Sequence, residues 1–204
     1  MRNPVFEVEL ALFFRGSRDY IYAADIYSLS AQAIFTNLKV EKMENVDFSV
    51  HKMTNKGLTL KVFNTPVEIE GYCAKFNFEV QNELFFGLVV ENASLVQGSV
   101  LYDEKFITDK SSIDLENKSI QLNRSLEIPF LDVCTAMNKY MHENVFPEIK
   151  GKWVSVRIQL ELFSKMESYH NLCVKNRKIF GKKYTQNSIF MNDEKRGFIY
   201  FSIV

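Results

Sequence analysis

Six polar side chains crowd into eleven residues near the start of the chain: Arg15, Arg18, Asp19, Tyr20, Tyr22 and Asp25. An arginine fork holds a carboxylate or phosphate with two parallel hydrogen bonds, and an aspartate beside it can take a proton. Asp25 and Arg18 are therefore candidate catalytic groups, with Arg15 and Tyr22 as candidate substrate contacts. The same residues also have a plainer role, in which Asp19 or Asp25 caps a helix and the arginines pair with local carboxylates.

A second line runs through Cys134, Asn138 and His142, spaced i, i+4, i+8, so that on a helix their side chains share one face. The thiol and imidazole stand about 12 Å apart along the axis, too far for a nucleophile–base pair. Asn138 remains a candidate catalytic group. Asp132 is a candidate substrate contact that also suits a helix first turn, where the dipole favours an acid. The plainer reading is a half-buried helix with a solvated flank. His51 and His170 lie far apart in strand or loop regions, and no H-x-x-x-H or H-E-x-x-H spacing signals a metal. The G-x-S-x-G, G-x-x-x-x-G-K-[ST] and G-x-G-x-x-G motifs are absent, so neither a serine-hydrolase elbow nor a phosphate-cradling loop is supported.

A third feature is basic. The 25 Lys and Arg balance 25 Asp and Glu over 204 residues, which excludes a protein-wide field attracting nucleic acid or anionic membrane. The distribution is uneven: residues 1–110 carry 11 basic and 15 acidic side chains, residues 111–204 carry 14 and 10. Much of the basic excess lies in Lys175, Arg177, Lys178, Lys182 and Lys183, interleaved with Phe180 and Tyr184. Lys178, Lys182 and Lys183 can meet the phosphates of coenzyme A or an acidic carrier protein. The stretch can equally grip RNA or a protein partner, or be a solvated hairpin turning at Gly181. Oppositely charged halves can also attract each other, or a second copy of the chain as a homodimer.

The elements that must position these groups follow from periodicity. Phe6, Val8, Leu10 and Leu12 alternate with Glu7 and Glu9, which predicts a strand over residues 5–14. A helical period from about Asp25 puts Ile26, Leu29, Ala33 and Ile34 on one stripe. Strand-like runs follow at 38–42, 46–50, 58–63, 67–69, 74–81 and 84–90, with a turn or linker at Lys110-Ser-Ser. The second half repeats the order. A short strand at Ile120 and Leu122 precedes a helix opened by Pro129, with Val133, Ala136, Met137, Tyr140 and Met141 as its apolar stripe. Strands are then expected at 153–163, 172–174, 183–191 and 198–204. Segregated helices among antiparallel strands define an α+β class with two tandem strand–helix–strands repeats, over 1–110 and 111–204, packed as one globular unit.

The N-terminus lacks the basic and apolar regions of a signal peptide, and no apolar run approaches the roughly 20 residues of a membrane span. Three widely spaced cysteines read as reduced thiols in a cytoplasmic protein. The double strand–helix–strands plan resembles the hot-dog fold in tandem. Phe14-Arg15-Gly16, followed by Ser28-Leu29-Ser30-Ala31-Gln32-Ala33, resembles the loop and central helix of the hydroxyacyl-thioester dehydratases. Arg15 replaces the proline of that loop, and Phe13 stands where the family carries a histidine. The resemblance implies a dehydratase- or thioesterase-like protein of fatty acid or polyketide metabolism, a lyase or hydrolase without a cofactor. Its acyl chain would lie in a tunnel beside the helix, delivered by acyl-carrier protein or coenzyme A. A non-catalytic protein- or RNA-binding module built on residues 175–184 is the rival reading.

Overall fold

A computed structural model describes residues 3–181 and 183–204. The chain divides into two compact units, one ending at Tyr102 and also taking in Leu160–Met166, the other made of Asp103–Gln159 and Glu167–Val204. The first holds β1 (Phe6–Glu9), β2 (Phe14–Arg15), α1 (Ala23–Leu38), β3 (Lys42–Val50), β4 (Lys56–Phe63), β5 (Tyr72–Val80), β6 (Glu83–Leu95) and β7 (Ser99–Val100). The second holds α2 (Glu104–Thr108), β8 (Ser112–Asp114), β9 (Ser119–Leu122), α3 (Phe130–Val145), β10 (Trp153–Ser164), β11 (Leu172–Phe180), β12 (Tyr184–Met191) and β13 (Glu194–Ile203), with β10 passing into the first unit at Leu160. The class is α+β, and strand, long helix and antiparallel strands recur in that order in both units.

In the first unit the strands run in the order β1-β4-β6-β5-β3, and the end of β10 continues the sheet beside β3, where Lys165 N–H donates to Glu41 C=O at 2.9 Å. Tyr27 of α1 sits within 5.2–5.4 Å, centroid to centroid, of Phe48, Phe76 and Phe163. Gly87 lets β6 cross this core closely, since a Cβ there would lie 2.9 Å from the Cβ of Phe76. In the second unit the order is β10-β13-β12-β11-β9-β8. Each unit contains a two-residue hairpin with both central residues at positive φ, Gln81-Asn82 (52° and 66°) and Asn192-Asp193 (54° and 66°). Such turns match the right-handed twist of the strands they join.

Several expectations change. The strand expected over 5–14 pairs with β4 only through Glu9, after which Leu10 N–H still reaches Leu58 C=O at 2.9 Å. The run at 38–42 is instead the end of α1, closed by Lys39 in the left-handed region, whose N–H bonds Phe35 C=O. Residues 67–69 form no strand, because they lie between Pro66 and the positive-φ turn at Gly71. On α1 the buried face is Ala24, Ile26, Tyr27, Ser30, Ala31, Ile34 and Phe35, so Leu29 and Ala33 lie off it. The largest change concerns α3, where every residue from Phe130 to Asn138 is buried. The supposed solvated flank of Cys134, Asn138 and His142 is wholly enclosed.

Candidate functional site

The two long helices begin alike. Each has sixteen residues, and each is preceded by an extended residue without a side-chain cap, Tyr22 (ψ 131°) or Pro129 (ψ 132°). The carbonyl of that residue accepts from the third and fourth helical N–H groups, Asp25 and Ile26 in α1, Asp132 and Val133 in α3, at 2.9–3.2 Å. An aspartate thus occupies the third position of both helices, where the unpaired N–H groups favour a negative charge. Asp25 is therefore not the cap that sequence reasoning allowed, whereas Asp132 takes the first-turn place expected of it.

Around the start of α1 the structure brings Arg15, Arg18, Tyr22 and Asp25 together. Arg15 grips Asp25 as a fork: Nε donates to Oδ1 and Oδ2 at 3.1 and 2.9 Å, and Nη2 donates to Oδ1. Gly16 makes the sharp turn after Arg15 at φ 61°. Arg18 donates from Nη1 to the Arg15 carbonyl at 3.1 Å and lies 5.0 Å from the Tyr22 ring. Tyr102, which sequence spacing gave no reason to include, completes the cluster. Its ring lies 5.1 and 5.2 Å from the Arg15 and Arg18 guanidinium carbons, and its hydroxyl is 3.2 Å from that of Tyr22. The segment is held from below by Ile21 N–H to Thr54 C=O at 2.9 Å. Glu91 braces the Thr54 loop, accepting from Thr54 Oγ1 at 2.6 Å and pairing with Lys52 and Lys56 at 2.8 and 3.3 Å. The hydrogen bonds from Lys52 and Thr54 hold the Glu91 carboxyl down at about 2.

In the second unit Asp132 is 2% exposed on the first turn of α3, and Asn138 is fully buried at mid-helix. Neither the oxygen nor the nitrogen of the Asn138 amide has a hydrogen-bond partner, and the same holds for the buried Ser30 hydroxyl at the middle of α1. Cys134 is buried and free, its thiol pushed well up by burial. His142 belongs to a different network. Its Nδ1 lies 2.5 Å from the Asn138 carbonyl, which can only accept, so the neutral ring carries its proton on Nδ1. Thr185 Oγ1 then donates to Nε2 at 2.7 Å and accepts from Asn187 Nδ2 at 3.1 Å. Asn187 Oδ1 accepts in turn from Asn176 at 2.8 Å. Burial holds His142 down at about 4, against the raising effect of the Asn138 carbonyl.

Lys178 and Lys183 are exposed on the β11–β12 hairpin, with Gly181 at its turn, and Lys182 lies outside the described residues. Lys178 is on the sheet face directed away from α3, so the hairpin and the start of α3 form separate features. His51 sits at the surface, 2.9 Å from Ser49 Oγ, and His170 is exposed. Among the described residues no group of His, Cys, Asp and Glu could hold a metal, and no helix is long and apolar enough to cross a membrane. A surface cleft of about 470 Å³ at the end of α1, lined by Lys39, Glu41, Lys42, Glu44 and Glu79, includes none of the candidate residues.

This architecture is the double hot-dog fold, as comparison with solved structures shows. The dehydratase domain of PpsC from Mycobacterium tuberculosis, solved with C12:1-CoA, superposes with a TM-score of 0.55 at 9% identity, over 98% of this chain and 93% of that one. A protein described as a thioesterase II from Thermobifida fusca gives 0.54 at 6% identity, over 99% and 94%. The tesB protein of Mycobacterium avium subsp. paratuberculosis gives 0.51 at 7% identity, over 91% and 88%. No protein-family model matches the sequence, and no curated protein matches it.

Proposed function

We propose that this chain binds acyl thioesters, presented on acyl-carrier protein or coenzyme A, and hydrolyses them. The observation that carries the reading is the Asn138 amide, fully buried on a central helix with no hydrogen-bond partner for either atom. An orphaned buried amide costs about 1–3 kcal/mol. A polar group of a ligand lying beside the helix would satisfy it, and the pantetheine arm of an acyl thioester offers amides that both donate and accept, set back from the thioester carbon by about the 9 Å that six residues of helix span. Asp132, on the first turn of the same helix, supplies the carboxylate. It takes a proton from water as the water oxygen adds to the thioester carbon, then gives that proton to the departing sulfur as the C–S bond breaks, releasing acid and thiol and restoring the carboxylate. Hydrolysis is favoured over dehydration because dehydration needs one group to remove a carbon-bound proton and another to protonate a leaving hydroxyl. Among the described residues no histidine stands at either helix start, and His142 is committed to Asn138 and Thr185. In the first unit the Arg15 fork occupies Asp25, so Asp25 and Arg15 position the loop. Arg18 and Tyr22, already bonded to the Arg15 carbonyl and the Tyr102 hydroxyl, would contact an anionic part of the ligand by exchanging those partners.

The test is a set of acyl-coenzyme A thioesters of increasing chain length, with released thiol measured colorimetrically and bound ligand by native mass spectrometry. Asp132→Asn is expected to abolish thiol release while the acyl adduct persists. Asn138→Leu is expected to weaken binding at least tenfold while raising the melting temperature, because it removes an unsatisfied amide. Full binding by Asn138→Leu would overturn the reading.

A further inference from the structure

Strand alternation gives the second unit's sheet two chemically different faces. Thr185 and Asn187 of β12 face α3, since Thr185 bonds His142, so Tyr184, Gln186 and Ser188 face away. Ladder partners carry this outer face across the neighbouring strands, with Phe180 opposite Tyr184, Lys178 opposite Gln186, Tyr200 opposite Gln186 and Phe198 opposite Ser188. Four rings form an unbroken stripe: Phe180 to Tyr184 at 5.9 Å, Tyr184 to Tyr200 at 5.8 Å, and Tyr200 to Phe198 at 6.4 Å. Cations border it, with Lys195 Nζ 4.1 Å from the Phe198 ring and the Arg157 guanidinium 5.5 Å from that of Tyr200. Phe180 is 47% exposed, and Lys175, Lys178 and Lys195 are exposed. The outward-facing positions of β11, β12 and β13 include no Asp or Glu; on the edge strand β8, Asp114 stands in ladder register with Lys175 through Ser119, so the Lys175 end of the face carries an acid and the Lys178 and Lys195 positions do not.

We propose that this face binds single-stranded RNA, with bases stacked on Phe180, Tyr184 and Phe198 around the buried Tyr200, and phosphates held by Lys178 and Lys195. Rings that accept any base together with exposed lysines are the chemistry of single-strand recognition. The Oε1 of Gln186, whose Nε2 donates to Tyr200 at 2.9 Å, and the hydroxyl of Ser202 offer partners for the 2′-hydroxyl that distinguishes RNA. A protein partner fits less well, because lysines are depleted from the cores of protein interfaces. The site lies on the sheet face opposite α3 and does not depend on the thioester reading.

The experiment is fluorescence anisotropy of the full chain with a labelled oligo(U) of about 12 nucleotides, within the usual range of single-strand sites. Salt is titrated, and oligo(dT) is the comparator. Wild type is expected to bind oligo(U) more tightly than oligo(dT). Lys178→Ala with Lys195→Ala should reduce the salt slope by about 1.4, near 0.7 for each lost phosphate contact. Phe180→Ala should weaken binding about fivefold or more with the slope unchanged. These side chains are exposed, and a melting curve checks each fold. Absence of binding at low salt would overturn the proposal, as would wild-type affinity in Phe180→Ala or equal affinity for oligo(dT). A dimer seen by light scattering and dissolved by the same substitutions would instead assign the face to a second copy of the chain.

Discussion

At the scale of single residues, the buried imidazole makes the sharpest forecast. His142 titrates near 6.5 in an unfolded chain and at about 4 in the fold. Its folded value is depressed, so the unfolded chain binds the extra proton first. The stability it contributes is complete above pH 6.5 and is lost as pH falls towards 4, about 3 kcal/mol over that interval. Urea unfolding at pH 7 and pH 5 should show a loss of about 2 kcal/mol in wild type that is absent in His142→Gln. An identical pH slope in the variant would refute the assignment. The Arg15–Asp25 fork predicts a second result. Arg15→Lys keeps the charge but loses the planar geometry, and should destabilise by about 1–2 kcal/mol. Arg15→Met combined with Asp25→Asn should cost less than the sum of the two single changes, because neither charge is then left without its partner. Arg15, Arg18 and Asp25 were legible as a cluster because they are close in sequence. Tyr102 and Thr185 were not, since each reaches its site only through the tertiary fold, 80 residues from Tyr22 and 43 from His142.

At the scale of elements, alternation located the strands well where one face is wet and the other dry, as in β9 and β12, but the strand expected at 172–174 runs on to Phe180, where the basic residues 175–178 hide the alternation and a register shift between Asn176 and Lys178 breaks it. It failed at 67–69, where an apolar pair between Pro66 and Gly71 has no ladder to join. The apolar stripe on α3 was also legible, but its opposite face was misread for a physical reason. A helix enclosed on all sides keeps polar residues only by satisfying them internally or leaving them for a ligand, and a sequence pattern cannot separate that case from a wet flank. Ser30 shows the same difficulty on α1. A packing forecast follows from the close crossing at β6. Gly87→Ala should destabilise by about 1–3 kcal/mol, because the new methyl group meets Phe76 and the backbone must move. Chemical denaturation would detect this as a lowered midpoint with an unchanged m-value, whereas Gly71→Ala, with open space around it but positive φ, should cost only about 1 kcal/mol.

At the scale of the whole chain, the first unit is not a continuous piece of sequence. A fragment spanning 1–110 contains α1 and its sheet but lacks Leu160–Met166, and with it the ring of Phe163 that packs on Tyr27 and Phe35 at 5.4 and 5.7 Å. That fragment should show weak tertiary signals and bind hydrophobic dye, and a synthetic peptide of 158–168 should restore cooperative melting. A cooperative fold for the fragment alone would show that the segment is dispensable. The discontinuity also sets a timetable during synthesis. Residues 103–159 must be made before the first unit can close, and at about 5–20 residues per second the newborn chain waits several seconds. Throughout that wait β3 presents a free edge to the cell, an invitation to wrong neighbours. A nascent chain stalled just after Tyr102 should therefore be a good client for ribosome-associated chaperones, and one stalled well past Met166 a poor one.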